Sequence, residues 1–290
     1  MTSRQRRTGP ATALLLLAMT AGCSTSAPPV PDASPARLAA GEAPRLPLDG
    51  LFWSDEEYTL LHKALDILTS QCMERSKVPM PPGTAAPVSR GPRAAHRYGT
   101  LDREEAERYG YHGPPSPALP PPPALTPEQR TALAGTQNGR PGPAGTPAEG
   151  CNGWAAMQIT GTTSYPVDAE LLRTLDFESF DLSRRDPRTV RAIDAWASCM
   201  ESAGATHAAG PDEKPPALRG TQAGAEEIRT ALADVTCKEE TRLVGTWAGV
   251  ETAYQQDLLR RHGGEVEDIE RGRRSQLSRA ADTIGKAERR

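Results

Sequence analysis

Apolar residues recur at helical spacing along much of the chain. Tyr58, Leu61, Leu65, Leu68 and Cys72 follow one another at steps of three or four, which is one face of a helix. Ser54-Asp55-Glu56-Glu57 stands ahead of them as a capping box, with Phe52 or Trp53 placed for a hydrophobic staple. This helix is expected to end near Arg75, before the proline-rich run that begins at Pro79. Residues 76–146 read as a largely irregular insertion with two short helices. One follows Asp102-Arg103-Glu104-Glu105 and stops at Gly110; the other follows Thr126-Pro127-Glu128-Gln129 and stops at Gly135. Thr146-Pro147-Ala148-Glu149 opens a further helix carrying Cys151, Trp154 and Ile159 on one side. Asp168 is placed to cap a short helix through Leu171, Leu172 and Leu175. Asp186-Pro187 starts a stronger one, with Ile193, Trp196, Cys199 and Met200 on its face and Gly204 as its closing cap. From about Ala225 one long helix is predicted, with the stripe Ile228, Leu232, Val235, Leu243, Trp247, Val250, Tyr254 and Leu258. Gly263-Gly264 weakens it, and a polar tail over 263–290, helical or disordered, follows with Val266, Ile269 and Leu277 as sparse anchors. Runs of strictly alternating apolar residues are absent, which argues against sandwiches, barrels and Rossmann sheets.

The N-terminus has a different pattern. Arg4, Arg6 and Arg7 precede an apolar run from Ala11 to Met19, the length of a signal h-region. A spanning helix needs roughly 20 apolar residues, so this run is no membrane span by itself. It ends in Thr20-Ala21-Gly22-Cys23, which resembles the lipobox of bacterial lipoproteins, with Thr20 standing where a branched aliphatic is usual. That resemblance implies removal of residues 1–22 and acylation of Cys23, palmitate being among the expected chains. Cleavage near Ala21 without lipidation is the other processing this segment allows. Residues 23–50 then read as a flexible tether of Ser, Pro, Ala and Gly, and residues 51–262 as the folded domain.

Composition narrows the picture further. Aromatic residues make up only 4% of 290, beside 28 Pro and 26 Gly, and mean hydropathy is −0.55, so one modest core is expected. The net charge of −3 becomes more negative once the basic leader is removed, and no basic stripe exists. Such a chain is a poor nucleic-acid binder. With Cys23 set aside, Cys72, Cys151, Cys199 and Cys237 remain. An even number in an exported chain reads as two disulfides, and no Cys-x-x-Cys supports a zinc ribbon or thioredoxin-like site. Three pairings are possible.

Two stretches are alike: Leu68-Thr69-Ser70-Gln71-Cys72-Met73-Glu74 and Ala195-Trp196-Ala197-Ser198-Cys199-Met200-Glu201. Each ends an amphipathic helix, and each is followed by a proline-containing loop and a second cysteine near a new helix. The simplest pairing is therefore Cys72 with Cys151 and Cys199 with Cys237. These Cys-Met elements, the pairs Tyr98-Gly99 and Tyr109-Gly110, and Trp196 three residues before Cys199 resemble a group of uncharacterised secreted proteins and lipoproteins of actinobacteria, over roughly residues 54–260. Gly204 after the second element follows the group's pattern; the first has Ser76-Lys77 instead. The resemblance implies an envelope location and this disulfide layout, with no activity attached.

Candidate chemistry is sparse. His62, His96, His112, His207 and His262 show no His-x-x-x-His spacing, so neither a metal nor a catalytic residue is assigned. No nucleophile motif occurs, and Asp55-Glu56-Glu57 and Asp102, Glu104, Glu105 fall on first turns, where they complement the helix dipole. Tyr98, Tyr109 and Tyr111 are the candidate ligand-binding residues, as an aromatic platform for a glycan or peptide. They equally suit docking of an irregular loop onto a helical core, the favoured reading. Pro120 to Pro123 offers a polyproline ligand or a stiff linker. The Leu243, Trp247, Val250, Tyr254 stripe suits a coiled-coil partner or the chain's own helices.

These readings predict a mostly α-helical, disulfide-stapled domain with long irregular insertions and no cofactor. It is expected on the extracytoplasmic face of the cell membrane, held by a lipid anchor, as a non-enzymatic interaction or accessory module with a membrane-protein partner. A cell-wall-directed enzyme and a solute-binding lipoprotein are the alternatives.

Overall fold

The computed structural model describes residues 31–81, 96–115, 123–136, 142, 145–207, 209–213, 215 and 222–289. The signal segment, Cys23 and the run Pro120 to Pro122 lie outside the described residues. Among those described, nine α-helices occur and no strand: α1 (Asp55–Arg75), α2 (Arg103–Tyr109), α3 (Pro127–Ala134), α4 (Gly150–Thr160), α5 (Glu170–Arg185), α6 (Pro187–Ser202), α7 (Ala225–Glu240), α8 (Leu243–Arg261) and α9 (Gly263–Glu288). The protein is a mostly helical domain stapled by two disulfides.

Helix starts follow side-chain chemistry. At α1 the Glu57 amide donates to Ser54 Oγ at 3.2 Å and the Ser54 amide donates back to Glu57 Oε2 at 3.0 Å, a complete capping box. Asp102 caps α2, Thr126 caps α3 and Asp186 caps α6. Asp168 behaves otherwise. α5 begins after Ala169, and Asp168 Oδ1 accepts the Trp53 amide at 3.1 Å, so this carboxylate ties the entrance of α1 to α5. The long helix expected from Ala225 is two helices. They break at Arg242, a non-glycine residue in the left-handed region at φ 53°.

The repeated Cys-Met element is a helix C-terminus with one geometry in both copies. After α1, the Val78 amide reaches back to the Met73 carbonyl at 3.1 Å and the Lys77 amide to Glu74 at 3.0 Å. After α6, Ala205 reaches Met200 at 3.0 Å and Gly204 reaches Glu201 at 3.0 Å. This is the Schellman motif, whose 6→1 bond brings the residue past the cap against the residue five positions back. Met73 packs with Val78 and Met200 with Ala205. Lys77, at φ 55°, takes the same left-handed conformation as Gly204 at φ 66°. In each copy the cysteine one residue before the methionine enters a disulfide: Cys72–Cys151 with Cα atoms 5.5 Å apart, and Cys199–Cys237 at 5.6 Å.

The helices pack in two halves. In one, α1 lies against α4 and α9. Trp53, Leu61, Leu65, Leu68, Ala155, Ile159, Ala280 and Ile284 form its core, and the Cys72–Cys151 end is closed by Val78 and Ala132. In the other, α8 is covered by α5, α6 and α7, and α2 lies on α7. Its stripe of Leu243, Trp247, Val250, Tyr254 and Leu258 is buried by the chain's own helices. α9 joins the halves: Ile269 packs with Leu48, Phe52 and Leu258, and Leu277 with the α1 core. The C-terminal segment is thus a helix built into the core.

Residues 31–50 depart from the tether expectation. Leu46 and Leu48 are buried, and Pro47–Leu51 forms a 3-10 turn. Upstream, residues 34–36 cross α8 as a strap, with the Ala36 amide donating to the Gly245 carbonyl at 2.7 Å. Gly245 and Gly249, one helical turn apart, permit this crossing. A Cβ on Gly249 would lie 2.1 Å from the Ser34 carbonyl oxygen, and one on Gly245 2.6 Å from that of Ala36. The small residues of the strap look like linker composition, but the absence of side chains on Gly245 and Gly249 of α8 lets the strap backbone touch that helix.

Candidate functional site

A seam of buried charge runs between α7, α8 and the segment Arg97–His112. Glu251 on α8 is fully buried, and four side chains donate to it. Arg97 donates through Nε to Oε1 at 2.8 Å and through Nη2 in a second, shorter bond; the Tyr98 hydroxyl donates to Oε2 at 2.7 Å. Ser179 Oγ and Gln255 Nε2 complete the shell at 3.4 and 3.3 Å. Arg97 also meets Asp176, at 3.1 Å. Burial works against the charge on Arg97, but Glu251 and Asp176 outweigh it and hold the guanidinium above its ordinary value. Gln255 Oε1 accepts the Leu48 amide at 3.0 Å, so the seam also fixes the 3-10 turn. Beside it the Trp247 ring meets Tyr98 edge-on and stacks on Phe180, both at 5.2 Å between centroids.

The second part of the seam is on α7. Asp234 and Lys238 are both buried and pair at 2.9 Å. Trp196 Nε1 donates to Asp234 Oδ1 at 2.8 Å, and Lys238 Nζ donates to the Thr100 carbonyl at 3.1 Å. Burial pushes Asp234 above its usual value and Lys238 below, which is the desolvation cost of an interior pair. Gly99, at φ 79°, is required here: a Cβ would lie 2.0 Å from the Pro211 carbonyl oxygen and 2.7 Å from Lys238 Nζ. Further along, Glu227 Oε1 accepts the Tyr111 amide at 3.0 Å. Burial, and then Asp234, raise the Tyr111 hydroxyl above its ordinary value, so it remains a donor.

Beside the seam lies a cleft of about 650 Å³, which Lys238 borders. One wall is the strap continued through residues 35–42; the other is the corner where α7 meets α8. Leu101, Val235 and Val244 line it, and Arg37 and Arg242 stand on opposite walls. Glu239 and Glu42 also border it, the latter turned back to accept the Ala39 amide at 2.9 Å.

Of the tyrosines singled out from the sequence, Tyr98 is fully buried, Tyr109 is half-buried at the end of α2, and Tyr111 is half-buried against α7. Tyr98, fully buried, presents no ring face to a glycan; its hydroxyl donates to Glu251 and the Tyr111 amide to Glu227, docking the loop. The histidines are dispersed: His62 lies between Tyr58 and Tyr165, with centroids at 4.2 and 5.9 Å, and His207 meets Trp196 at 5.2 Å. Among the described residues no three His, Cys, Asp or Glu side chains gather as a metal site. Nor is any described helix long and apolar enough to cross a membrane. Sequence reasoning missed Arg97, Asp234, Lys238, Glu251 and the cleft. The available signal was polar residues inside apolar stripes: Glu251 and Gln255 follow Trp247 at successive steps of four, on the face that carries Tyr254 and Leu258.

Compared with known protein families, curated proteins and solved structures, the chain matches none.

Proposed function

We propose that this protein is an exported lipoprotein, held by acylated Cys23 on the extracytoplasmic face of the cell membrane, where its helical domain is a non-enzymatic interaction or accessory module for a membrane-protein partner. The reading rests on the two disulfides, Cys72–Cys151 and Cys199–Cys237, in a chain that opens with a basic, apolar and small-residue run ending at a cysteine. Disulfides persist in oxidising compartments and are rare where thiols are kept reduced. The buried carboxylates support the non-enzymatic part, since Glu251 is occupied by Arg97 and Tyr98 of the docked loop and Asp234 by Trp196 and Lys238. The test is metabolic labelling with a fatty-acid analogue in a bacterial host, followed by membrane fractionation and cross-linking, on wild type and Cys23→Ala. Label and membrane retention lost with Cys23, together with one specific cross-linked membrane protein, is the expected result. Equal labelling of Cys23→Ala would reject the anchor. A labelled wild type that captures nothing above background would reject the accessory role.

A further inference from the structure

We propose that the cleft between the strap and the α7–α8 corner binds a small amphipathic ligand bearing a carboxylate, the chemistry of a short apolar peptide with a free C-terminus. This goes beyond the anchored-lipoprotein reading and does not depend on it. A volume of about 650 Å³ falls within the range of small-ligand sites, which are concave, largely apolar and carry a few placed polar groups. Leu101, Val235 and Val244 supply the apolar floor. Arg37 comes from the strap and Arg242 from the helix corner, and neither forms an ion pair with another described residue. Guanidinium groups bind carboxylates through paired N–H donors.

The remaining charges restrict what fits. Lys238 borders the cleft, but its ammonium is held by Asp234 and the Thr100 carbonyl, so its charge is already balanced. Glu239 stands on the same rim and would repel a polyanion. A monoanion or a zwitterion is repelled less, and an apolar body matches the floor. Arg242 also holds a backbone position that glycine suits better. It caps α7 in the left-handed region at φ 53°, as Gly204 caps α6 at φ 66°. Lys77 shows that a long side chain is tolerated at such a cap. What singles out Arg242 is that it lines the same cleft as Arg37, beside the apolar Leu101, Val235 and Val244. The strap wall is fixed beforehand by the Ala36 to Gly245 hydrogen bond and the close crossing at Gly249, so binding needs little ordering of this wall.

The test is calorimetric titration of the full-length chain with N-acetyl-leucyl-leucine and with its C-terminal amide. The acid is expected to bind, and the amide roughly tenfold more weakly or worse, the scale of one lost charge-assisted bond. Arg242→Gly should weaken the acid by a similar factor while leaving the melting temperature unchanged or raised, because glycine prefers this conformation. Arg37→Ala, on the other wall, should weaken it likewise without unfolding. Equal binding of acid and amide, unchanged affinity in both variants, or no binding of the acid at millimolar concentration would each overturn the proposal.

Discussion

The half built on α1, α4 and α9 and the half built around α8 are each tied by one disulfide, yet they are filled differently. The first is dry. Leu61, Leu65, Leu68, Ile159, Ala280 and Ile284 meet with few polar groups between them. The second holds Glu251, Asp234, Lys238, Gln255, Ser179 and Ser183 among its buried residues, interleaved with Trp247, Tyr98 and Trp196. The difference tracks what each half must hold. The dry half packs regular helices whose backbone groups are satisfied internally. The other must dock the segment Arg97–His112, irregular on both sides of α2, and the strap, whose amides and carbonyls need partners. Buried side chains on α7 and α8 supply them: Lys238 to the Thr100 carbonyl, Glu227 to the Tyr111 amide and Gln255 to the Leu48 amide.

The disulfides give the largest lever on this comparison. In the chain-entropy account, losing the bond that closes 79 residues costs about 4.5 kcal/mol and losing the one that closes 38 about 3.9 kcal/mol. Urea denaturation of Cys72→Ser/Cys151→Ser and Cys199→Ser/Cys237→Ser should therefore show both badly weakened, the first slightly more. The reverse order would mean that packing within each half outweighs loop length.

Glu251→Ala is next, with an expected loss of roughly 3–5 kcal/mol, because Arg97 is left buried without its main counter-charge. Leu65→Ala in the dry half should cost about 2–5 kcal/mol through a cavity. The two separate on rescue. Arg97→Met/Glu251→Leu should be less destabilised than Glu251→Ala alone, since removing both charges removes the unpaired one, whereas no partner change restores Leu65→Ala. A double variant worse than the single would show that the seam acts through shape instead of charge.

A smaller, pH-dependent effect is expected at Asp186, buried at the junction of α5 and α6. Hydrogen bonds from Arg188 hold this carboxyl below its ordinary value of 3.8, aided by the Tyr254 hydroxyl. A depressed value in the folded state contributes stability that is present above the ordinary value and is lost as pH falls through the folded one. Asp186→Asn should thus lose roughly 1–2 kcal/mol at pH 7. Its deficit against wild type should shrink as the solution is acidified below pH 3.8, where the folded-state carboxyl also becomes protonated. A deficit that stays constant on acidification would assign the effect to geometry alone. The least effect belongs to Lys63 and Glu288, a pair at 3.0 Å with both side chains more than half exposed. Lys63→Ala should change stability by less than about 0.5 kcal/mol, although it bridges α1 and α9.

By itself the sequence determined the all-helical class and most of the helices and their caps, and it favoured the cysteine pairing that the fold adopts. Each rests on short-range chemistry: Ser54 with Glu57, Asp102 with Glu105 and Asp186 with Arg188 lie within one turn, and the Cys-Met elements repeat a local cap. Lys77 follows the same logic, since the hydrogen bonds around it are those around Gly204. Only the tertiary structure decided the fate of residues 31–50, the break at Arg242, the partners of Asp168 and Glu251, and the cleft. Ala36 and Gly245, Arg97 and Glu251, and Arg37 and Arg242 are distant in sequence, and no local preference brings them together. Gly245 and Gly249, which stand inside a predicted helix, became contact points because a second backbone lies against them, and a glutamate within an apolar stripe became the centre of a seam because a loop needed donors and acceptors in the interior.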